Sequence, residues 1–257
     1  MPSPARRSLR QPRVGELVAG EMRDRILAGE LDAGLPTQDA LLGEFGISVA
    51  SLREGLRILE TEGLISVQRG NVGGAIVHRP GPGQVAYTLG LVLQTMGVTV
   101  QDVCTGLERL EPTCVAACAE RADRASEVVP HLRANLDEAA AAIDEPEAYM
   151  RLSREFHTEL VQRCGNPTMI VIVGALEALW TAQVEELAFG GDLGSFGELR
   201  VRRASLREHE VLLRHIADGR SRQAEDLARA HFTERRWRYG FATDQVVHAA
   251  RLGPWSR

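Results

Sequence analysis

A mainly α-helical fold in two parts is predicted by three features of the sequence. Ala, Leu, Arg and Glu dominate the 257 residues, whereas aromatic residues make up only 5% of them, which favours helices over strands. Apolar residues recur at helical spacing through residues 84–240. The strand-like segments lie together before residue 80, and a Pro- and Gly-rich stretch at 79–83 follows them. The sequence therefore predicts a small N-terminal domain with one hairpin and a C-terminal all-α helical bundle.

Charge is distributed differently in the two parts. The formal net charge is −5, but residues 1–80 carry ten arginines against ten acidic residues, whereas residues 81–257 carry twenty against twenty-five. The N-terminal part is thus the better candidate for contact with a polyanion. The predicted organisation is a mobile Arg-rich tail at 1–12, an N-terminal domain at 13–80, a linker with a helix at 81–100, a helical domain at 101–240 and a C-terminal tail at 241–257.

Membrane and secreted proteins are disfavoured by the sequence. It has no run of 18 apolar residues and no signal-peptide pattern. The four cysteines show no CxxC spacing, which indicates reduced and mostly buried thiols. We expect a cytoplasmic protein without membrane contact.

The N-terminal domain contains the parts of a winged helix-turn-helix. A helical pattern begins at Val14, and Thr37 and Ser48 are of the residue type that caps the N-terminus of a helix. Strand-like segments at 64–67 and 75–77 flank the sequence RGNVGG, whose glycines suit a hairpin tip. In such a domain the helix that begins at Ser48 lies in the major groove of DNA, and the hairpin reaches the backbone or the minor groove.

These elements resemble the DNA-binding domain of the GntR family of bacterial transcription regulators over nearly all of residues 13–80. The resemblance rests on Leu35-Pro36-Thr37, Phe45-Gly46-Ile47-Ser48, the run Leu52-Arg53-Glu54-Gly55-Leu56-Arg57 with Ile58-Leu59-Glu60-Thr61-Glu62-Gly63-Leu64-Ile65, and Arg69-Gly70-Asn71-Val72-Gly73-Gly74-Ala75. The resemblance implies a DNA-binding regulator, most often a repressor.

The resemblance also implies which residues contact DNA. They are Thr37, Gln38, Ser48, Ser51 and Arg53 of the helix-turn-helix, and Arg69, Gly70 and Asn71 of the wing. Two residues depart from the family pattern. Val49 stands where members commonly carry a guanine-reading arginine, and Asp39 stands where many carry an arginine. Since valine at most contacts a thymine methyl group, the operator should differ from the usual half-site of the family.

Three histidines are candidates for a site inside the helical bundle. His157, His209 and His231 each lie in the middle of a predicted helix with apolar neighbours at helical spacing, which predicts that they point inward. A buried histidine is often a hydrogen-bonded core residue and less often a metal ligand, so the residues alone leave both interpretations open.

The stretch from residue 102 to residue 238 is similar to the FCD effector domain found in the FadR-type branch of the GntR family. The landmarks are Leu110-Glu111-Pro112, Ala116-Ala117, Glu155-Phe156-His157, Cys164-Gly165-Asn166-Pro167, Glu208-His209, Ile216-Ala217-Asp218-Gly219 and Ala228-Arg229-Ala230-His231. In many such domains one Asp and three His bind a divalent metal that helps to hold a small carboxylate. The three His positions are His157, His209 and His231, and Ser153 occupies the usual Asp position.

The resemblance therefore implies a site for Zn²⁺ or Ni²⁺ with a weakened ligand set, because serine brings no charge. The alternative is a metal-free pocket in which the histidines hydrogen-bond an acid directly. An arginine often present four residues before Glu111 is replaced by Leu107. Other arginines are candidates to clamp a carboxylate, and Arg203 is predicted to bind the effector together with the three histidines.

A homodimeric regulator that responds to a metabolite is the function these features predict. Its partners would be double-stranded DNA with a pseudo-palindromic operator and a small organic acid as effector. One alternative is a metal-dependent enzyme, but no catalytic residue is assigned, because Glu155 and Glu208 flank histidines and are expected to project off their face. Another alternative is a DNA-binding protein with a purely structural bundle.

Overall fold

The computed structural model describes residues 13–31, 34–67, 75–189, 197–239 and 244–252, with the side chains of 185–189 and 234–239 excepted. The chain forms two compact units, residues 1–80 and 81–257. Both are dominated by helices, as the composition predicts.

Three helices and a two-stranded antiparallel sheet form the first unit. They are α1 Val14–Leu27, α2 Gln38–Phe45, α3 Val49–Thr61, β1 Ile65–Val67 and β2 Ala75–Val77. Ile65 pairs with Val77 and Val67 with Ala75, so the predicted hairpin forms. The predicted wing contacts Arg69, Gly70 and Asn71, like the tail at 1–12, lie outside the described residues.

The turn between α2 and α3 is set by local sequence. Thr37 Oγ1 accepts a hydrogen bond from the backbone N–H of Ala40 at the start of α2. Gly46 ends α2 with a φ of 59°, a left-handed conformation that glycine adopts without steric cost. Ser48 Oγ then accepts from the backbone N–H of Ser51 and caps α3. The two helices are thereby joined by the short turn of a helix-turn-helix.

α3 is held in place by close packing against α1. Leu52 and Leu59 of α3 are buried in one core with Met22 and Ile26 of α1. A Cβ atom at Gly55 would lie 3.1 Å from the carbonyl oxygen of Gly15, so the absence of a side chain there permits the close approach of the two helices. The buried face of α3 is thus fixed, and the opposite face remains on the surface of the unit.

The second unit is a helical bundle. Its helices are α4 Pro82–Thr95, α5 Val100–Glu120, α6 Arg124–Glu127, α7 Val129–Ala141, α8 Pro146–Gln162, α9 Pro167–Phe189, α10 Leu199–Ala217 and α11 Ser221–Tyr239, followed by a 3-10 turn at Ala249–Arg251. The sequence predicts one helix over 125–142, whereas the structure has two helices that meet at Val128. The break falls just before Pro130, which occupies the first turn of α7, because proline has no N–H to continue a preceding helix.

Two segments that the sequence assigns to a linker and a tail belong to the bundle. α4 packs along α9 and buries Ala86 completely. Val247 and Leu252 are buried in the same cluster, and the backbone N–H of Ala249 donates to Gln94 Oε1 at 2.9 Å. These few apolar residues are too short a pattern to predict burial, yet they cover a groove between α4 and α9.

The main core lies between α5, α7, α8, α10 and α11, and it includes Cys118, Leu132, Phe156 and Leu213. Among the described helices, one stretch is long and apolar enough to cross a membrane by length and composition, Pro167–Val184 of α9, with a mean hydropathy of 1.4. α9 packs against α4, α5 and α8, and a third of this stretch is buried.

Candidate functional site

The exposed face of α3 carries a row of residues spaced by one helical turn. Val49, Arg53 and Arg57 are exposed and lie at positions i, i+4 and i+8. At 1.5 Å per residue the row is about 12 Å long, and a helix with its side chains is about 10–12 Å across, which fits the major groove of B-DNA at a width of about 12 Å. Arg57 was not singled out by sequence reasoning, although its spacing from Arg53 was visible there.

Arg53 and Arg57 differ in their ion pairing from other arginines of the same unit. Arg13, Arg23 and Arg25 each contact a glutamate carboxylate, and the Arg23 guanidinium makes a two-bond contact with Glu62. No ion pair or hydrogen bond to the guanidinium group of Arg53 or Arg57 is found within the described part of the chain. Their charges are therefore available to a polyanion, because no carboxylate of the described residues pairs with them.

Three other predicted DNA contacts have an internal role. The hydroxyls of Thr37 and Ser48 cap their helices, and Ser51 Oγ lies 3.1 Å from Ser48 Oγ. Gln38 is exposed at the start of α2, and Asp39 beside it is also exposed. The capped N-terminus of α3 adds a partial positive charge that favours a phosphate oxygen.

In the bundle, the three predicted histidines come together. His157 on α8, His209 on α10 and His231 on α11 are buried, as their apolar neighbours predict. One nitrogen from each ring lies within 4.8 Å of the corresponding nitrogens of the other two. The Phe156 ring stacks on the His209 ring with centroids 4.3 Å apart, which limits rotation of that imidazole.

Two carboxylates orient the histidine rings. His157 Nδ1 lies 2.7 Å from Glu111 Oε1, and His231 Nδ1 lies 2.7 Å from Glu208 Oε2. An ionised carboxylate only accepts hydrogen bonds, so each Nδ1 donates and the lone pair of a neutral ring is on Nε2. Glu208 lies off the face of its neighbour His209, as expected, but its carboxylate reaches across from α10 to His231 on α11, a contact that the sequence did not predict. Glu155 is exposed, as expected, and pairs with Arg151.

The histidine geometry fits a divalent metal ion. The Nε2 atoms of His209 and His231 are 3.2 Å apart, so one of them carries a proton or a cation lies between their lone pairs. Two nitrogens bound to one tetrahedral Zn²⁺ at about 2.0–2.1 Å are separated by about 3.3 Å. Carboxylates on the remote nitrogens are the usual outer partners of metal-bound imidazoles. His157, His209 and His231 would hold the ion, and the ion would supply positive charge to a ligand oxygen.

Ser153 lies one turn before His157 on the same face of α8. It is buried, and its Oγ makes no hydrogen bond within the described part of the chain. A buried hydroxyl without a partner is unfavourable, so a bound water or a ligand oxygen at this point would stabilise it. An aspartate at this position would place a carboxylate beside the histidines. With Ser153 there instead, that place can be taken by the oxygen of a water or a ligand.

A pocket of about 510 Å³, including its mouth, adjoins His157. Its walls come from α5, α8, α9 and α11. The polar wall includes Glu108 and Glu111 of α5, Arg154 of α8 and Glu177 of α9. The apolar wall includes Leu107, Trp180 and Phe232. Because a guanidinium and aromatic rings line the same space, the pocket is suited to a small polar molecule with an apolar part.

The structure does not bring Arg203 to the histidines. Its side chain is exposed on α10, whereas Arg202, Ser205 and His209 lie on the buried face of that helix. The guanidinium that lines the pocket belongs to Arg154, three residues before His157, which sequence reasoning did not select. The i, i+3 spacing on α8 was the signal that could have identified it.

Among the described residues, the group that could hold a metal ion contains no cysteine. Cys114 and Cys118 are buried in the core, as the sequence predicts for a packing role. Burial, with a smaller effect of Cys164, raises the pKa of the Cys118 thiol to about 12, and burial also raises that of Cys114. Cys104 differs, since it is only half-buried and lines the pocket.

A winged helix-turn-helix unit followed by a helical unit with a pocket is the architecture of a two-domain DNA-binding protein. Residues 15–73 match the family described as bacterial regulatory proteins, gntR family, and residues 103–234 match the FCD domain. The chain belongs to the GntR family and carries an FCD effector-binding domain. Its two matched domains are therefore those of a GntR-family transcription regulator.

Curated relatives agree with this assignment. The HTH-type transcriptional repressor NanR of Salmonella newport is 28% identical over 177 residues, which cover 66% of each chain. The NanR protein of Salmonella arizonae is 28% identical over 177 residues, covering 66% of this chain and 65% of its own. The chain thus spans slightly less than two thirds of the length of these relatives.

A solved structure shares the fold. The GntR protein of Streptococcus agalactiae superposes with a TM-score of 0.62 at 18% identity, covering 87% of this chain and 99% of that protein. The winged-helix and helical architecture is therefore the same in both proteins.

Proposed function

We propose that this chain is a cytoplasmic, homodimeric repressor whose affinity for its operator is controlled by a small organic acid. The acid would be held in the pocket beside His157, with a divalent Zn²⁺ or Ni²⁺ ion on the three histidines. The observation that carries the DNA-binding part is the exposed row on α3, in which Arg53 and Arg57 have no acidic partner among the described residues.

Val49 is expected to change the base preference of the operator at the position that it faces. Arginine and lysine read guanine through two hydrogen bonds, whereas an exposed valine offers only apolar contact with a thymine methyl group. We therefore expect a thymine opposite Val49 and a guanine or a phosphate contact opposite Arg53. The exposed Asp39 would face away from the phosphates or would reduce affinity at its side of the half-site.

The dimer is supported by an apolar surface on α4 and α9. Val85, Leu91 and Val92 on α4 and Val171 and Ile172 on α9 are exposed, and these two helices pack against each other. Only 33% of the apolar stretch Pro167–Val184 is buried within the chain. A second copy of the chain would cover such a surface, and a two-fold dimer would read two inverted half-sites.

Selection of DNA from a random duplex library by the purified full-length protein tests the DNA-binding proposal. We expect two inverted half-sites separated by about one helical turn, each with a thymine at a fixed position. Selection of a single, unpaired half-site would contradict the dimer. Failure to enrich any sequence at low ionic strength would contradict the regulator itself.

Metal analysis of protein purified without a histidine tag tests the pocket. We expect about one Zn²⁺ or Ni²⁺ per chain, and a lower melting temperature after chelation, because an ion that binds only the folded state stabilises it. A metal content near zero together with no calorimetric binding of either ion would support the alternative in which the histidines hydrogen-bond an acid directly.

A further inference from the structure

The pocket beside His157 is richer in carboxylates than a site for a simple acid requires. Glu108, Glu111 and Glu177 line it, and Arg154 is the one guanidinium among its described lining residues. Glu111 and Glu177 are at least nine-tenths buried, so water screens their charges weakly. Counted formally, the lining carries three negative charges and one positive charge.

A divalent ion on the histidines would not fully balance the negative charge of the surrounding carboxylates. Such an ion would add two positive charges, but Glu208 also lies in this site through its hydrogen bond to His231. With Glu208 included, four carboxylates stand against one guanidinium and the ion, a formal balance of −1. A ligand with only a carboxylate would raise this excess of negative charge beside the buried carboxylates of Glu111 and Glu177, which is unfavourable.

The negative and positive side chains lie on different walls of the pocket. Glu108 lies on α5 and Glu177 on α9, whereas Arg154 and His157 lie on α8. A ligand with both an anionic and a cationic group could place the anion towards α8 and the cation towards the two glutamates. Trp180 lines the same space, and an indole face attracts an ammonium group.

We infer that the effector is an amino acid or a related amine-bearing acid, whose carboxylate lies at the histidines and Arg154 and whose ammonium group is held by Glu108 and Glu177. This inference rests on the proposed function, because it names the ligand class of the same pocket. The apolar residues Leu107 and Phe232 in the lining favour an apolar or aromatic side chain.

The experiment compares pairs of ligands that differ only in the group on the α-carbon. Full-length protein loaded with Zn²⁺ is titrated by calorimetry with L-leucine against 2-hydroxyisocaproate, and with L-phenylalanine against phenyllactate. A third pair compares L-glutamate with 2-hydroxyglutarate. Gluconate is added as a sugar acid without an amine. We expect at least one amino acid to bind at least tenfold more tightly than its hydroxy counterpart.

Two variants test whether the glutamates cause the preference for an amino acid over its hydroxy counterpart. Glu177→Gln and Glu108→Gln should each reduce the amino-over-hydroxy ratio at least tenfold, whereas Glu155→Gln, on the exposed face of α8, should leave it unchanged. Circular dichroism and the operator affinity of each variant establish that it is folded. A folded Glu177→Gln and a folded Glu108→Gln that both keep the full preference would overturn the inference.

The outcomes separate this inference from the proposed function. If a hydroxy acid or gluconate binds as tightly as every amino acid in the panel, the amine is not recognised and the inference fails, while a small-acid effector stands. If no compound in the panel binds a protein that still binds its operator, both the inference and the effector part of the proposed function fail.

Discussion

Glu111 on α5 and His157 on α8 are joined by a hydrogen bond of 2.7 Å between Oε1 and Nδ1, and both side chains are almost completely buried. The carboxylate fixes the orientation of the ring and places the lone pair of the neutral imidazole on Nε2. A residue 46 positions away in sequence thus determines whether His157 can bind a metal ion or a ligand.

Replacing Glu111 by glutamine should weaken metal binding. A glutamine amide holds the ring less firmly and removes the charge that increases the basicity of the imidazole, so we expect Zn²⁺ affinity to fall by about 10–100-fold. Competition with a chromogenic chelator measures the change. Glu155→Gln on the exposed face of α8 is the matched control and should retain the affinity of the original protein. An unchanged affinity in Glu111→Gln would show that Glu111 has no part in the metal site.

Replacing Ser153 by aspartate should strengthen metal binding at the cost of stability without metal. The buried position is one turn from His157, so a carboxylate there adds an anionic ligand, and we expect at least tenfold tighter Zn²⁺ binding. Without metal, the unpaired buried charge should lower the melting temperature. Thermal melting with and without Zn²⁺ measures both effects. Ser153→Asn, similar in size but uncharged, should not gain the affinity; an equal gain there would exclude the charge as the cause.

Thiol labelling should report occupancy of the pocket. Burial raises the pKa values of Cys114 and Cys118, which keeps those thiols protonated and slow to react at pH 8, whereas Cys104 is half-buried in the pocket wall. We expect Cys104 to react quickly with iodoacetamide, and mass spectrometry identifies the labelled residue. A bound effector should slow this reaction. Rapid labelling of Cys118 in the folded protein, or labelling of Cys104 that a bound effector does not slow, would contradict this assignment.

A charge on the exposed face of α4 should disrupt the dimer. Val92 is 51% exposed within one chain, and burial of an aspartate at that position without a partner would be strongly unfavourable. We expect Val92→Asp to shift sedimentation towards the mass of one chain, 28.1 kDa. Leu27→Asp, at an exposed apolar position of α1, is the control and should remain dimeric. A Val92→Asp protein that stays dimeric at micromolar concentration would place the dimer contact elsewhere.

The helices and the burial of the histidines could be predicted from the sequence because both depend on local periodicity. Thr37 and Ser48 mark helix starts, and His157, His209 and His231 carry apolar neighbours one turn away. These patterns require no knowledge of which helices are neighbours.

The partners of the histidines could not be predicted in the same way. Glu208 adjoins His209 in sequence, and the helical spacing correctly places it off the face of that residue, but its carboxylate reaches His231 on another helix. Arg154 lines the pocket and Arg203 does not, because the packing of α8 and α10 decides which arginine faces inward. Likewise, the sequence does not show that Arg25 pairs with Glu44 on another helix, whereas the guanidinium of Arg53 has no such partner among the described residues.

The central claim is that α3 binds the operator through its exposed arginines, and fluorescence anisotropy with an operator fragment tests it most directly. Each lost contact to a base costs about 1–3 kcal/mol. We predict that Arg53→Ala loses at least tenfold in affinity and that Arg57→Ala is weakened too, whereas Arg25→Ala, whose guanidinium already pairs with Glu44, changes affinity less than threefold. Equal affinities for the original protein and Arg53→Ala, both folded and dimeric, would contradict the account.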